Sequence, residues 1–458
     1  MYLVSYTIYL EGKKMKPTRL KNIISTLTTI SMLTVMLQAQ EAVTQPSGLL
    51  PLSDYSGSLS ERSHLFGDLD GSRSEWAKKG VSFDIDYNQY FQGVVEGGLD
   101  TDSEYGGTID YNINIDFDRM GLIPGGLLQM KAVSRYGRSV NGISGALMPV
   151  NTDATHPTTT TLDENVALLL PMITYTQFLS ETFGLSIGKM EMYGTTNEFS
   201  GGQGRTQWWN INLAMPLSPA LIVPYSALGA AAVYMPRPGL TITGLVCTSS
   251  DTSNNSGFNK LDDGLTALVT LEYQYKMNGL PGGFTLMPGY GWDNEFNEIN
   301  GRITIDDGQL VPSTKNNTWF FSADAWQYLW VENDLNQLID TTDGRQDLQG
   351  IGVFSRIQTA DKDTNPADFY FSIGLNGKGL IPSRDNDAMG IAYSYNSMNK
   401  GRFLNIIGIE DSSTAWELFY NLELTPAVHL TLDAQVVNSA LPNIETATIL
   451  GTSLQMRF

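Results

Sequence analysis

Cysteine is almost absent from the chain, histidine is scarce, and cations are outnumbered. A single cysteine, Cys247, excludes an intrachain disulfide, so an exported form must be held by backbone pairing. Cys247 does not follow a signal cleavage site, so it is no lipoprotein anchor, and a buried, inert thiol is expected. The three histidines, His64, His156 and His429, form no H-E-x-x-H pattern, and no G-x-S-x-G elbow occurs. Asp361-Lys362-Asp363-Thr364-Asn365 opens like a calcium loop, but Pro366 stands where glycine should and no glutamate closes it. Nothing therefore points to an enzyme, a cofactor or a metal. Lys and Arg number 28 against 48 Asp and Glu, a net charge of −20, which excludes a nucleic-acid binder needing clustered cations. Beyond the N-terminal region no segment reaches 18 continuous apolar residues, so any membrane crossing must use strands.

What is present fits an exported β-protein. Lys16, Arg19 and Lys21 precede an apolar stretch from Ile23 to Leu37, and Ala39 offers a small residue for cleavage before Gln40. Residues 1–39 read as a signal peptide, with Met15 as an alternative start. Residues 40–80 read as a periplasmic leader without firm structure until a short helix near Arg73 to Lys79. Ser72 and Glu75 stand as a capping box for that helix, and Gly80 stops it. Hydrophobic residues make up 41% of the chain and glycine numbers 45, which suits a turn-rich sheet with one wet face.

From Val81 onward, apolar and polar residues alternate. Val81, Phe83, Ile85 and Tyr87 share one face; Ser82, Asp84, Asp86 and Asn88 share the other. The same holds for Ile109 to Phe117 against Asp110, Asn112, Asn114 and Asp116, and for Trp416 to Leu424 against Glu417, Asn421 and Glu423. A period of two places alternate side chains on opposite faces of a sheet. Tyr87, Tyr90, Trp319, Trp330, Trp416 and Phe458 stand near strand ends, as interfacial girdles require. Sixteen strands are expected, beginning near Val81, Glu104, Gly125, Val166, Thr182, Ser226, Gly239, Gly264, Gly283, Thr318, Asp347, Ala367, Asp387, Ser412, Val428 and Thr446. An even count lets the sheet close without an edge. Connections after odd strands are mostly long and polar; after even strands most are tight, as at Met120 to Pro124 and Gly279-Leu280-Pro281. Glu332 to Gln346 is the exception. The expected fold is all-β, a transmembrane antiparallel β-barrel of about sixteen strands over residues 81–458, with a short N-terminal helix before the first strand.

Several motifs then carry a resemblance. Gly67-Asp68-Leu69-Asp70-Gly71-Ser72-Arg73 is similar to a G-D-W-G-G-x-R opening, with Leu69 and Asp70 replacing its Trp and Gly. Gly121-Leu122-Ile123-Pro124-Gly125-Gly126, Leu185-Ser186-Ile187-Gly188-Lys189, Gly350 to Arg356, Gly374 to Pro382, and Phe419-Tyr420-Asn421 with Leu424-Thr425-Pro426 follow in order. Together they resemble the carbohydrate-selective porins of the OprB type. The resemblance implies a cell outer-membrane barrel that admits glucose and related small sugars, uses no cofactor and is not an enzyme; a general diffusion porin is the alternative. It also implies contact with outer-membrane lipid and lipopolysaccharide, and reading of Phe458 by the outer-membrane assembly machinery. A monomer and a homotrimer both remain open.

A sugar has hydroxyls around its edge and C–H faces on its ring, so a conducting lumen should combine charged groups with aromatic ones. Binding must stay weak for the solute to leave. Alternation puts Lys131 and Arg135 on the lumen face of one strand, Asp324 and Trp326 on another, and Arg356 on a third. Gly201-Gly202-Gln203-Gly204-Arg205, followed by Trp208 and Trp209, lies in a long connection that can fold inward; it lacks the Gly-Lys-Ser/Thr ending of a phosphate loop. Lys131, Arg135, Arg205, Trp208, Asp324, Trp326 and Arg356 are the candidate pore-lining residues. The facing of Lys189 and Glu191, after Gly188, is open.

Overall fold

A computed structural model describes residues 48–155, 165–193, 197–306, 309–332, 348–406 and 408–458. The expected export signal and almost all of the Glu332 to Gln346 connection lie outside the described residues. The strands, in order, are β1 (Val81–Gly98), β2 (Ser103–Asp116), β3 (Gly126–Gly137), β4 (Val166–Ser180), β5 (Phe183–Glu191), β6 (Ser226–Arg237), β7 (Leu240–Thr248), β8 (Leu265–Met277), β9 (Leu280–Asn297), β10 (Ile303–Asp306), β11 (Gln309–Pro312), β12 (Thr314–Val331), β13 (Gly350–Ala360), β14 (Ala367–Lys378), β15 (Ala388–Met398), β16 (Ser412–Thr425), β17 (Val428–Asn438) and β18 (Glu445–Arg457). β10 and β11 form a separate hairpin; the other sixteen close into one antiparallel barrel. Each expected strand is present. β18 returns to β1 in a register that begins at Asp86 opposite Arg457, so no barrel edge is left unpaired.

Alternation sorts the two faces of the wall. On β16, Trp416 and Leu418 are exposed on the outer face, while Glu417, Phe419 and Asn421 are buried on the inner one. On β12, Trp319 and Phe321 point out, while Phe320, Ser322 and Asp324 point in. Tyr90 departs from the expected girdle. Counting from the outward Phe91, it falls on the inner face and is buried against Ala154 and Trp209.

The two rims differ. One carries the long connections at 138–165, 192–225, 249–264 and 298–313; the other carries two-residue turns at 181–182, 238–239, 278–279 and 426–427. The turn expected at Gly279-Leu280-Pro281 sits slightly earlier. Asn278 and Gly279 both have positive φ, 52° and 82°, the pairing a type I′ hairpin demands. Leu280 and Pro281 then belong to β9.

The leader docks at the short-turn rim. The Leu49 and Leu50 N–H groups donate to Asp116 Oδ2 at 2.6 and 3.0 Å. The Leu65 N–H donates to the Arg457 carbonyl at 2.7 Å, and the Phe66 ring lies 4.8 Å from that of Phe458. Helix α1 (Ser72–Lys78) follows, but the expected capping box does not form. Gly71 occupies the N-cap, and Asp68 takes the Ser74 N–H and hydroxyl at 2.7 and 2.8 Å. Arg73 stacks over the Tyr55 ring and reaches Asp84 at 2.6 Å and the Phe458 carbonyl at 3.3 Å.

Candidate functional site

Two of the long connections turn into the barrel, in their described residues 138–155 and 197–225. Irregular backbone there must find partners for its N–H and C=O groups, and inward side chains of the wall supply them. Glu417 on β16 accepts the N–H groups of Trp209 and Asn210, one on each oxygen. Gln358 on β13 accepts the Ser218 N–H at 2.7 Å, and Asn376 on β14 donates to the Phe199 carbonyl at 2.7 Å. Asn210 caps the short helix α2 (Ile211–Ala214) and also donates to Gln435 at 3.2 Å. The 138–165 connection is tied in as well: Gln435 donates to the Val150 carbonyl, and Thr152 donates to that of Trp209.

Apolar contacts seat the same segment. Phe199 rests on Gly352, Trp208 on Gly390 and Trp209 on Gly451; a Cβ at these glycines would lie 2.0, 2.6 and 2.6 Å from a ring atom. Missing side chains on the wall thus make room for bulky ones on the loop. Trp208 also packs edge-on against Phe419, with ring centroids 4.7 Å apart.

The seven candidate residues fall into two groups. Asp324, Arg356, Trp208 and Trp326 gather where the loop meets β12 and β13. Arg356 Nε lies 2.7 Å from Asp324, its Nη1 donates to the Met215 carbonyl at 2.9 Å, and its Nη2 donates to Ser200 at 3.3 Å. Asn197 donates to Asp324 at 2.9 Å, Trp208 Nε1 donates to the Phe199 carbonyl at 2.7 Å, and Trp326 meets the Phe199 ring edge-on. These four hold the loop in place.

Lys131, Arg205 and Arg135 form the second group. Lys131 lies between Asp110 and Glu191, 3.2 and 3.0 Å away. Arg205 reaches Asp110 at 3.1 Å and Asp153 at 2.6 Å, and its Nη2 donates to Thr108 at 3.1 Å. Burial alone would lower the Arg205 pKa, but the carboxylates of Asp110 and Asp153 outweigh it and raise it well above its usual value. Arg135 donates to the Ala154 carbonyl at 2.8 Å. Lys131, Arg205, Glu191, Tyr193, Tyr225 and Met215 are among the residues that line a cavity of about 50 Å³. Tyr225 packs edge-on against Tyr193 and donates to Glu191 at 3.2 Å. Burial, then the Glu191 carboxylate, raises its pKa well above the usual phenol value and keeps it a donor. Ion pairs thus stand beside aromatic and apolar surface.

Some of this escaped sequence reasoning. Asp110 was visible only as one of a row of polar inward residues, and Asp153, Tyr193 and Tyr225 carried no local pattern at all. Glu191 does reach the lumen, whereas Lys189 donates to the Asn255 carbonyl in the 249–264 connection. Among the described residues no cluster of His, Cys, Asp and Glu is arranged to hold a metal.

A family model described as carbohydrate-selective porin, OprB family, matches residues 100–458. No curated protein matches the chain. Among solved structures, the chain is similar to the high-pH structure of Pseudomonas putida OprB at 18% identity and a TM-score of 0.72, covering 88% of this chain and 100% of that one. For the low-pH structure of Pseudomonas putida OprB the identity is 16% and the TM-score 0.55, with coverage of 87% and 99%. At such identities the likeness speaks for the fold alone.

Proposed function

The chain belongs to the carbohydrate-selective porins of the OprB family, and from that premise we propose that it is an outer-membrane channel for facilitated diffusion of small sugars such as glucose. Family and barrel fold together imply the outer membrane. The outer face supports insertion there. Its exposed Leu, Ile, Trp and Phe side chains are costly in water, at roughly 25 cal/mol per Å², and satisfied in lipid. Even the shortest barrel strands, β5 and β7, have 9 residues, and about 9–11 tilted residues cross a bilayer. Export through a cleaved signal over residues 1–39 and recognition of Phe458 during assembly belong to the same proposal.

The observation that carries the sugar reading is the cavity between Lys131, Arg205, Glu191, Tyr193 and Tyr225. Its polar groups can exchange hydrogen bonds with hydroxyls while the tyrosine rings cover C–H faces. At about 50 Å³ it holds little more than a water or two. A sugar therefore passes by displacing lining side chains, which makes passage selective and slow. Swelling of liposomes carrying the protein tests this: glucose should enter faster than amino acids of equal size. Equal rates would leave a general diffusion porin, and planar bilayers without any channel would defeat both readings.

A further inference from the structure

We propose that this constriction refuses anions: it passes neutral sugars and amino sugars, and it excludes sugar acids and sugar phosphates. The inference rests on the porin reading above and concerns which charge that same site admits. An anion needs cationic donors with open valence, above all the fork of an arginine. Here each nitrogen of the Arg205 and Arg356 forks already holds a partner. All three nitrogens of Arg205 are engaged, Nε by Asp153, Nη1 by Asp110 and Nη2 by Thr108. All three nitrogens of Arg356 are engaged as well, by Asp324, Met215 and Ser200. Lys131 is shared between two carboxylates, and Arg135 donates to the Ala154 carbonyl.

Acids and cations balance in this belt. Asp110, Asp153, Glu191 and Asp324 are buried on the lumen side with Lys131, Arg135, Arg205 and Arg356. Glu417 is occupied by two backbone N–H groups. To bind a carboxylate or phosphate, the site would have to release a buried acid from its cation, which leaves that acid desolvated and unpaired. A donor meets the opposite situation. Glu191 is buried and lines the cavity, and its Oε2 has no hydrogen-bond partner among the described residues. A sugar hydroxyl or the ammonium of an amino sugar can take that place without breaking an existing pair.

Reversal potentials across planar bilayers test the proposal with the whole protein. In a KCl gradient the sign should report preference for potassium. With glucosamine hydrochloride and potassium gluconate in turn, glucosaminium should carry current and gluconate should not. Asp110→Asn should move the cation-to-anion permeability ratio toward chloride by about fourfold, because one unit charge at roughly 10 Å in a high-dielectric setting changes each ion's passage about twofold and in opposite directions. Glu191→Gln, which keeps the Lys131–Asp110 pair, should shift it in the same direction. A channel that prefers chloride or conducts gluconate overturns anion refusal and leaves the porin reading standing. Absence of any channel overturns both.

Discussion

Arg356 and Asp324 face each other as direct partners in the register of β12 and β13, and both side chains are closed off from solvent. The pair joins two wall strands and, through the Met215 carbonyl, the inward loop. Its members are struts of the constriction more than open ligands.

Asp324→Asn should leave Arg356 buried with one partner fewer and destabilise the protein by about 3–5 kcal/mol. Thermal unfolding in detergent measures this. Single-channel conductance should rise in the same variant, because the loop loses an anchor. Replacing both residues with apolar ones should recover much of the stability and keep the larger conductance. A variant that is less stable but conducts as before would show that the pair does not position the loop.

Gly390→Val should push Trp208 off its seat, at a cost of about 1–3 kcal/mol from overpacking. The wider pore should appear as higher conductance and faster sugar entry. Adding Trp208→Ala removes the indole's share of the clash, leaving that with Asn376 and Phe419, so the double variant should gain less than the sum of the two single ones. Additive conductance changes would mean that the two positions do not touch in the folded channel.

Asp387, at the turn before β15, gives a pH-dependent expectation. Burial raises its pKa, but the Arg384 guanidinium, the Tyr420 hydroxyl and the Glu423 N–H outweigh burial and hold it below the usual carboxylate range. A lowered folded-state pKa contributes stability that is present above the unfolded value, about 3.9. That stability is lost as pH falls through the lower folded one. Asp387→Asn should therefore melt earlier than the parent at neutral pH, and the gap should close in strong acid. A gap that persists there would assign the difference to packing.

Arg73→Ala should weaken the tie between the leader and the barrel seam, since one guanidinium serves Asp84, the Phe83 carbonyl and the Phe458 carbonyl. Limited proteolysis should cut the variant within residues 48–80 at a rate several-fold above the parent, while the barrel itself stays protected. Equal cutting rates would show that Arg73 does not hold the leader.

The wall was legible in the sequence because a strand writes its two faces into alternate residues. Trp416 against Glu417, or Phe321 against Ser322, can be sorted without knowing their neighbours. The contents of the lumen were only half legible. A glycine-rich stretch followed by two tryptophans suggested that 201–209 turns inward, but nothing local linked Trp208 to Gly390 or Glu417 to the N–H of Asn210. Such contacts join segments far apart in the chain and follow no period. The capping box failed because the helix is capped one residue earlier, at Gly71: the Glu75 and Ser72 N–H groups that the box would use go to the Gly71 and Leu69 carbonyls. Tyr90 misled because nearness to a strand end says nothing about which face a side chain takes.

The leader contacts at the short-turn rim have one more consequence. Arg73 grips Asp84, 11 residues away, and the Phe458 carbonyl, 385 residues away; Leu65 binds the Arg457 carbonyl beside it. The berth for the leader is therefore assembled from the first strand and the last, and it exists only once the two lie side by side. A half-zipped sheet offers half a berth. Docking of the leader is thus linked to closure, since its bonds to Arg457 and Phe458 fall beside those to Asp84 only in the completed ring.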